Sequence, residues 1–112
     1  MRAYLTIKEN WQFQRAYKRG KSFVSPVVVT YIVKNKTNNL QIGITTSKKI
    51  GKAVQRNRCR RIIRAAFSQL SPMVKSGYDI VFVARAKTPY VKSTNVYNAI
   101  KIHLQQANVI DN

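Results

Sequence analysis

The chain has 112 residues, 45% of them hydrophobic, and a formal net charge of +18 from 21 Lys and Arg against three Asp and Glu. That length supplies one domain with a single modest core, and that apolar share excludes a disordered basic tail. Self-repulsion on this scale weakens a compact state, so a folded chain carrying it is expected to meet a polyanion, nucleic acid before an anionic membrane surface.

No apolar run approaches the roughly 20 residues that span a bilayer, and MRAYLTIKEN has no apolar stretch of signal-peptide type. A single cysteine, Cys59, rules out an internal disulfide framework and suits a reducing cytosol. The chain therefore reads as soluble and cytoplasmic, with no membrane partner. Repeats and low-complexity linkers are lacking, so residues 1–112 read as one domain.

Asn10 is expected to cap a first helix that carries Trp11, Phe13, Ala16 and Tyr17 and closes at Gly20. A short extended piece follows at Ser22 to Val24. After Pro26, VVVTYIV is rich in β-branched residues and reads as a strand, with Val27, Val29, Tyr31 and Val33 on one face and Val28, Thr30 and Ile32 on the other. The NKTNN segment (35–39) reads as a turn. LQIGITT alternates Leu40, Ile42 and Ile44 with Gln41, Gly43 and Thr45, and is expected to pair antiparallel with the preceding strand.

A long helix is predicted from about Ala53 to Leu70, ended by Ser71-Pro72. Gly77 leads into YDIVFVA, a strand apolar on both faces. Ser93 or Thr94 is expected to cap a last helix bearing Val96, Tyr97, Ile100, Leu104 and Ala107. The order is helix, strands, helix, strand, helix: a mixed sandwich of helices over a small sheet.

The long helix contains QRNRCRRIIR. At about 100° per residue, Cys59, Ile62, Ile63, Ala66, Phe67 and Leu70 share one arc, the core face. Asn57, Arg60, Arg61 and Arg64 share an adjoining arc with Arg56 at its edge, whereas Arg58 points elsewhere. A purely structural basic helix normally carries acidic partners at i, i+4, and this stretch has none. Arginine's planar fork also binds phosphate bidentately, and Asn57 adds a donor and an acceptor. The helix therefore reads as a phosphate-binding face. Lys48, Lys49 and Lys52 lie just before it and extend the anionic track around the helix N-terminus. SKKIGK does not match G-x-x-x-x-G-K-[ST], so nucleotide hydrolysis is disfavoured.

Phe13 and Tyr17 form a stripe on the first helix, Tyr31 lies on a strand, and Lys8, Arg15, Lys18, Arg19 and Lys21 surround them. Aromatics among cations suit a single-stranded nucleic acid, yet helix aromatics four apart more often form core, and spacing alone favours core. Catalytic chemistry is poorly provided. Glu9, Asp79 and Asp111 are far apart in sequence, too sparse for a two-metal nuclease site. His103, the single histidine, reads as a surface or partly packed residue. Cys59 falls on the core arc, so packing outweighs a reactive thiol.

S-K-K-I-G-K-A-V (47–54) followed by R-N-R-C-R-R-x-x-R (56–64) resembles the signature of the bacterial ribonuclease P protein subunit. N-W-Q-F-Q-R-A-Y-K-R-G (10–20) is similar to that family's first helix, and D-I-V-F-V-A-R (79–85) to its late strand. The resemblance covers nearly the whole chain in the family's order. It implies an α+β, αβββαβα sandwich with an unusual left-handed βαβ crossover, against the usual right-handed rule. It further implies an RNA-binding subunit that assists a catalytic RNA in removing the 5′ leader from precursor tRNA. In that family the RNA performs the hydrolysis, with Mg2+ bound mainly by RNA. The protein holds the leader, supports metal-dependent cleavage, has no catalytic residue of its own and needs no tightly bound cofactor.

Carried over position by position, Arg56, Asn57, Arg58, Arg60, Arg61 and Arg64 are implied to contact the catalytic RNA, with Lys48, Lys49 and Lys52 adding phosphate contacts. Phe13, Tyr17 and Tyr31 are implied to line the leader cleft, reversing the preference from spacing. Arg60 stands where the family commonly has lysine, which keeps the charge. Two other classes remain to be weighed. A ribosomal RNA-binding component predicts no effect on precursor-tRNA cleavage, and a self-sufficient nuclease predicts cleavage without added RNA. A membrane-surface protein needs a basic helix with a free apolar face, and here a sheet is available to cover that face.

Overall fold

The computed structural model describes residues 4–110. Among these, one five-stranded sheet carries three α-helices, in the order β1 (Leu5–Thr6), α1 (Asn10–Arg19), β2 (Lys21–Val24), β3 (Val28–Lys34), β4 (Gln41–Thr45), α2 (Ala53–Leu70), β5 (Tyr78–Ala84) and α3 (Ser93–Gln106). Short 3-10 turns at Lys48–Ile50, Ser71–Met73 and Thr88–Tyr90 join them. Beyond the two-residue β1, which sequence patterning does not reveal, this is the αβββαβα order.

Across the sheet the strands run β1-β4-β5-β3-β2. The expected antiparallel pairing of β3 with β4 does not occur. Instead β5 lies between them, antiparallel to β3 with Val29 opposite Val83 and Tyr31 opposite Val81, and parallel to β4 with Gly43 opposite Val81. The physical reason lies in burial and in the loop. YDIVFVA is apolar on both faces and is stable only as a central strand. The 35–39 segment passes over the end of β5 rather than closing a hairpin. Asn35 N–H donates to Gly77 O at 2.9 Å, and Gly77 N–H donates to Asn39 O at 3.1 Å. Gly77 has φ 88°, a left-handed conformation open to glycine at no steric cost. The β4–α2–β5 connection is the βαβ unit of the fold.

The sheet's two faces are covered differently. On one side α2 and α3 pack over Val28, Ile32, Ile42, Ile80 and Phe82, burying Cys59, Ile63, Ala66, Phe67 and Leu70 of α2 and Val96, Ile100 and Leu104 of α3. The arc predicted for α2 is thus the core face, with Ile62 half-buried at its edge. Within this core lies His103, which is buried outright, where the sequence predicts a surface or partly packed residue. Its Nδ1 is 2.8 Å from Thr30 Oγ1, and its ring stacks on Phe23. A histidine with a hydroxyl partner packs as an apolar ring with a satisfied polar edge.

On the opposite face α1 covers Ile7 and Val81, with Phe13, Tyr17, Tyr31, Val33 and Val83 packed around them. Polar anchors hold it there. Arg15 Nη2 donates to the buried Asp79 Oδ2 at 2.8 Å, and Gln12 Nε2 donates to Gln41 Oε1 at 2.8 Å. Tyr17 Oη and Thr45 Oγ1 share a 2.7 Å hydrogen bond.

Two helix starts differ from expectation. The cap of α1 is Glu9, in a reciprocal capping box with Gln12, and Asn10 is the first helical residue. Neither Ser93 nor Thr94 caps α3. Lys92 stands at that position without a side-chain cap bond, as Lys52 does for α2.

Candidate nucleic-acid interface

The basic face begins where β4 ends. The 3-10 turn Lys48–Ile50 carries exposed Lys48 and Lys49, and exposed Lys52 occupies the N-cap of α2. A lysine at a helix N-terminus opposes the helix dipole, which favours anions there. The first turn of α2 has no acidic residue to correct this.

Along α2, Asn57, Arg60, Arg61 and Arg64 together with Val54 line a shallow depression of about 480 Å³. Arg60 Nη1 donates to Asn57 Oδ1 at 2.8 Å, fixing the pair one turn apart. Arg56 folds back and donates from Nη1 to Gly51 O at 3.2 Å. Asn57, Arg58, Arg61 and Arg64 are exposed, and Arg58, which the helical projection sets apart from the arginine arc, lies on the flank toward α3. Among the described residues the one ion pair is Arg15–Asp79, so no described carboxylate neutralises the α2 arginines.

The second predicted site is divided. Tyr31 lines an open groove of about 510 Å³ beside Val29, Val83, Lys49 and Arg85. Tyr17 meets Tyr31 edge-on at 5.1 Å between ring centres. Phe13 lies farther under α1, over Gly43, where a Cβ would come within 2.5 Å of its ring. Tyr31 is therefore the aromatic on the groove wall. Tyr17 supports it from behind, and Phe13 fills the seam between α1 and the sheet. Lys49 places the α2 approach and this groove side by side, a link invisible in sequence. Arg85 was missed as well. It follows β5 directly, and its Nη1 donates to Ser25 O at 2.9 Å, holding it at the groove mouth. The only sequence signal for it was a cation at a strand's end.

Among the described residues there is no group of three or more His, Cys, Asp or Glu that could hold a metal. Glu9 is committed to a helix cap and Asp79 is buried against Arg15 and Asn35, while Asp111 lies outside the described residues. Magnesium is usually held by one or two carboxylates together with water and phosphate, and the two described carboxylates are already engaged by the protein. Burial pushes the Cys59 thiol up, only partly offset by its backbone hydrogen bond and Arg60, so it is a packed thiol, not a nucleophile. Among the described residues no helix is long and apolar enough to cross a membrane.

Fold and surface together define a small α+β protein whose unneutralised cationic helix adjoins an aromatic-walled groove, a class suited to polyanions. Comparison with known proteins narrows the class. The Ribonuclease P family profile matches residues 1–108. The chain is 42% identical over 96 residues to the ribonuclease P protein component of Clostridioides difficile strain 630, covering 85% of this chain and 84% of that one. The solved Staphylococcus aureus RNase P protein superimposes with a TM-score of 0.82 at 34% identity, over 95% of this chain and 97% of that one. A mutant of the Staphylococcus aureus protein with defective mRNA degradation activity superimposes at 0.83, also at 34% identity, over 94% and 89% of the two chains. The chain belongs to the ribonuclease P protein family.

Proposed function

We propose that this chain is the RNA-binding protein subunit of a cytoplasmic ribonuclease P holoenzyme. In this reading it assists a catalytic RNA in removing the 5′ leader of precursor tRNA. The observation that carries it is the α2 face, where Asn57, Arg60, Arg61 and Arg64 converge with no acidic neighbour among the described residues. Such a face is stable in company with phosphates, whose counterions it releases on binding. Lys48, Lys49, Lys52, Arg56 and Arg58 extend the contact to the catalytic RNA at either side.

The leader, a single strand, enters the groove beside Tyr31. There Lys49 and Arg85 meet its backbone, and the tyrosine ring offers a surface for a base. Tyr17 holds that ring, and Phe13 seats the helix that carries Tyr17. The protein supports metal-dependent cleavage by gathering RNA strands against its cations. In this reading magnesium itself rests on RNA phosphates, since the described carboxylates, Glu9 and Asp79, are committed elsewhere.

The test is cleavage of a precursor tRNA at low magnesium with protein alone, ribonuclease P RNA alone, and both. Cleavage at the mature 5′ end only in the combination supports the reading. No gain from adding the protein to a cognate RNA sinks it. The activity attached to the Staphylococcus aureus relative motivates a second reading, action on mRNA. Cleavage of an mRNA by protein purified free of nuclease distinguishes it.

A further inference from the structure

Arg61 borders two depressions. One is the Asn57–Arg64 face, and the other lies across α2, where the helix meets the start of α3. This second groove, of about 610 Å³, is lined by Arg58, Arg61, Ile62, Tyr90, Lys92 and Thr94 among others, none of them acidic. Its most exposed large hydrophobic side chain is Tyr90, 75% accessible.

That ring is not on a loose loop. It ends the 3-10 turn Thr88–Tyr90, in which Thr88 and Pro89 are buried. Thr88 Oγ1 donates to Val27 O at 2.6 Å and accepts from Arg85 N–H at 2.7 Å. Tyr90 N–H itself donates to Lys87 O at 3.0 Å. A backbone this well anchored presents an aromatic to solvent at a fixed place, where burying it against a flat partner costs little ordering entropy. Arg58 and Lys92 supply cations on either flank. Lys92 also heads α3, whose first turn has no acid and no side-chain cap.

We infer that this groove is a further RNA site, binding an unpaired nucleotide whose base stacks on Tyr90 while its phosphates meet Arg58, Arg61 and Lys92. The inference rests on the RNA-binding reading above, because Arg61 makes the two depressions continuous around α2. Charge complementarity selects a polyanion, and the fixed aromatic selects an exposed base over duplex backbone, since every base has a face to stack. The nucleotide comes from either the catalytic RNA or the tRNA substrate, which share this chemistry.

The experiment measures affinity over a salt series for Clostridioides difficile ribonuclease P RNA, and separately for precursor tRNA presented to the assembled holoenzyme. Tyr90→Ala is expected to weaken one of the two by about 5-fold or more, and Tyr90→Phe to bind as wild type. An Arg58→Gln/Lys92→Gln double variant should lower the log–log salt slope by roughly 1.4 to 1.8, the value for two phosphates. The probe that loses affinity identifies the source of the nucleotide. Unchanged affinity of Tyr90→Ala for both probes overturns the inference, as does equal loss in Tyr90→Phe. If Arg64→Ala still weakens RNA binding in that case, the wider reading stands without this groove; if it too has no effect, both fall. Thermal unfolding of each variant near wild type secures the comparison.

Discussion

The two faces of the sheet solve burial in opposite ways. Over β3, β4 and β5, the α2 and α3 side closes with interlocked apolar side chains, Phe67 and Phe82 at 5.3 Å between ring centres. The α1 side is held by polar bonds at its margins, Arg15 to Asp79, Gln12 to Gln41 and Tyr17 to Thr45. Length explains much of the contrast. Ten helical residues in α1 reach about 15 Å, whereas seven residues of β3 or β5 span about 23 Å. A helix too short to cover its strands leaves part of the sheet bare, and that bare part is the groove at Tyr31. The closed face makes the molecule stable; the half-covered face gives it somewhere to hold a ligand.

The strongest way to break this contrast is a pair of truncations. Phe67→Ala on the closed face should lose about 3–5 kcal/mol in urea unfolding. Tyr31→Ala on the open face should lose well under half of that, yet weaken leader-bearing precursor tRNA more than leaderless tRNA. Equal destabilisation by the two would erase the distinction. Next in size is Gly43→Ala. Its Cβ meets the Phe13 ring, so that ring must move, at about 1–3 kcal/mol by the same unfolding assay.

The closed face also contains its own polar weak point. Burial pushes the His103 pKa below the ordinary 6.5, only partly offset by its hydrogen bond with the Val24 backbone. Above pH 6.5 both folded and unfolded chains hold it neutral, and its contribution is intact. As pH falls through 6.5 the unfolded chain takes up a proton that the folded chain resists. Stability then drops by up to about 1.4 kcal/mol per pH unit until the lowered folded value is reached. Urea midpoints at pH 7.5 and 5.5 should show this slope in the wild type and lose it in His103→Gln. The smallest expected change is in Arg64→Ala. Its unfolding free energy should move by no more than about 0.5 kcal/mol, while the salt slope of RNA binding falls by about one phosphate. An unchanged slope removes Arg64 from the interface.

Periodicity located the three α-helices and strands β3, β4 and β5, because each is long enough for its pattern to repeat, whereas the four-residue β2 read only as a short extended piece and β1 not at all. It also sorted the α2 arginines correctly, since a helical projection needs only one segment. Pairing was the failure. A turn-like NKTNN between two alternating strands reads as a hairpin, and nothing local says that another strand will occupy the gap. The loop length was a clue, for a bridge across β5 needs more than a two-residue turn. His103 was misjudged for a similar reason: its hydroxyl partner, Thr30, is distant in sequence. The Tyr31 groove and the Tyr90 groove were likewise illegible, each assembled from separate segments whose meeting depends on the placement of β5.

That placement has a consequence for how the chain comes into being. During synthesis β3 and β4 emerge first, with nothing yet made to fill the space between them. Each then has an edge of unpaired backbone waiting for a strand separated from β4 by the whole of α2. The sheet cannot close until residue 84 has been added, so the nascent chain passes through a long interval with two open edges, and the fold completes late and cooperatively rather than strand by strand. A chain stopped before Tyr78 would be left with those edges as templates for one another in neighbouring copies.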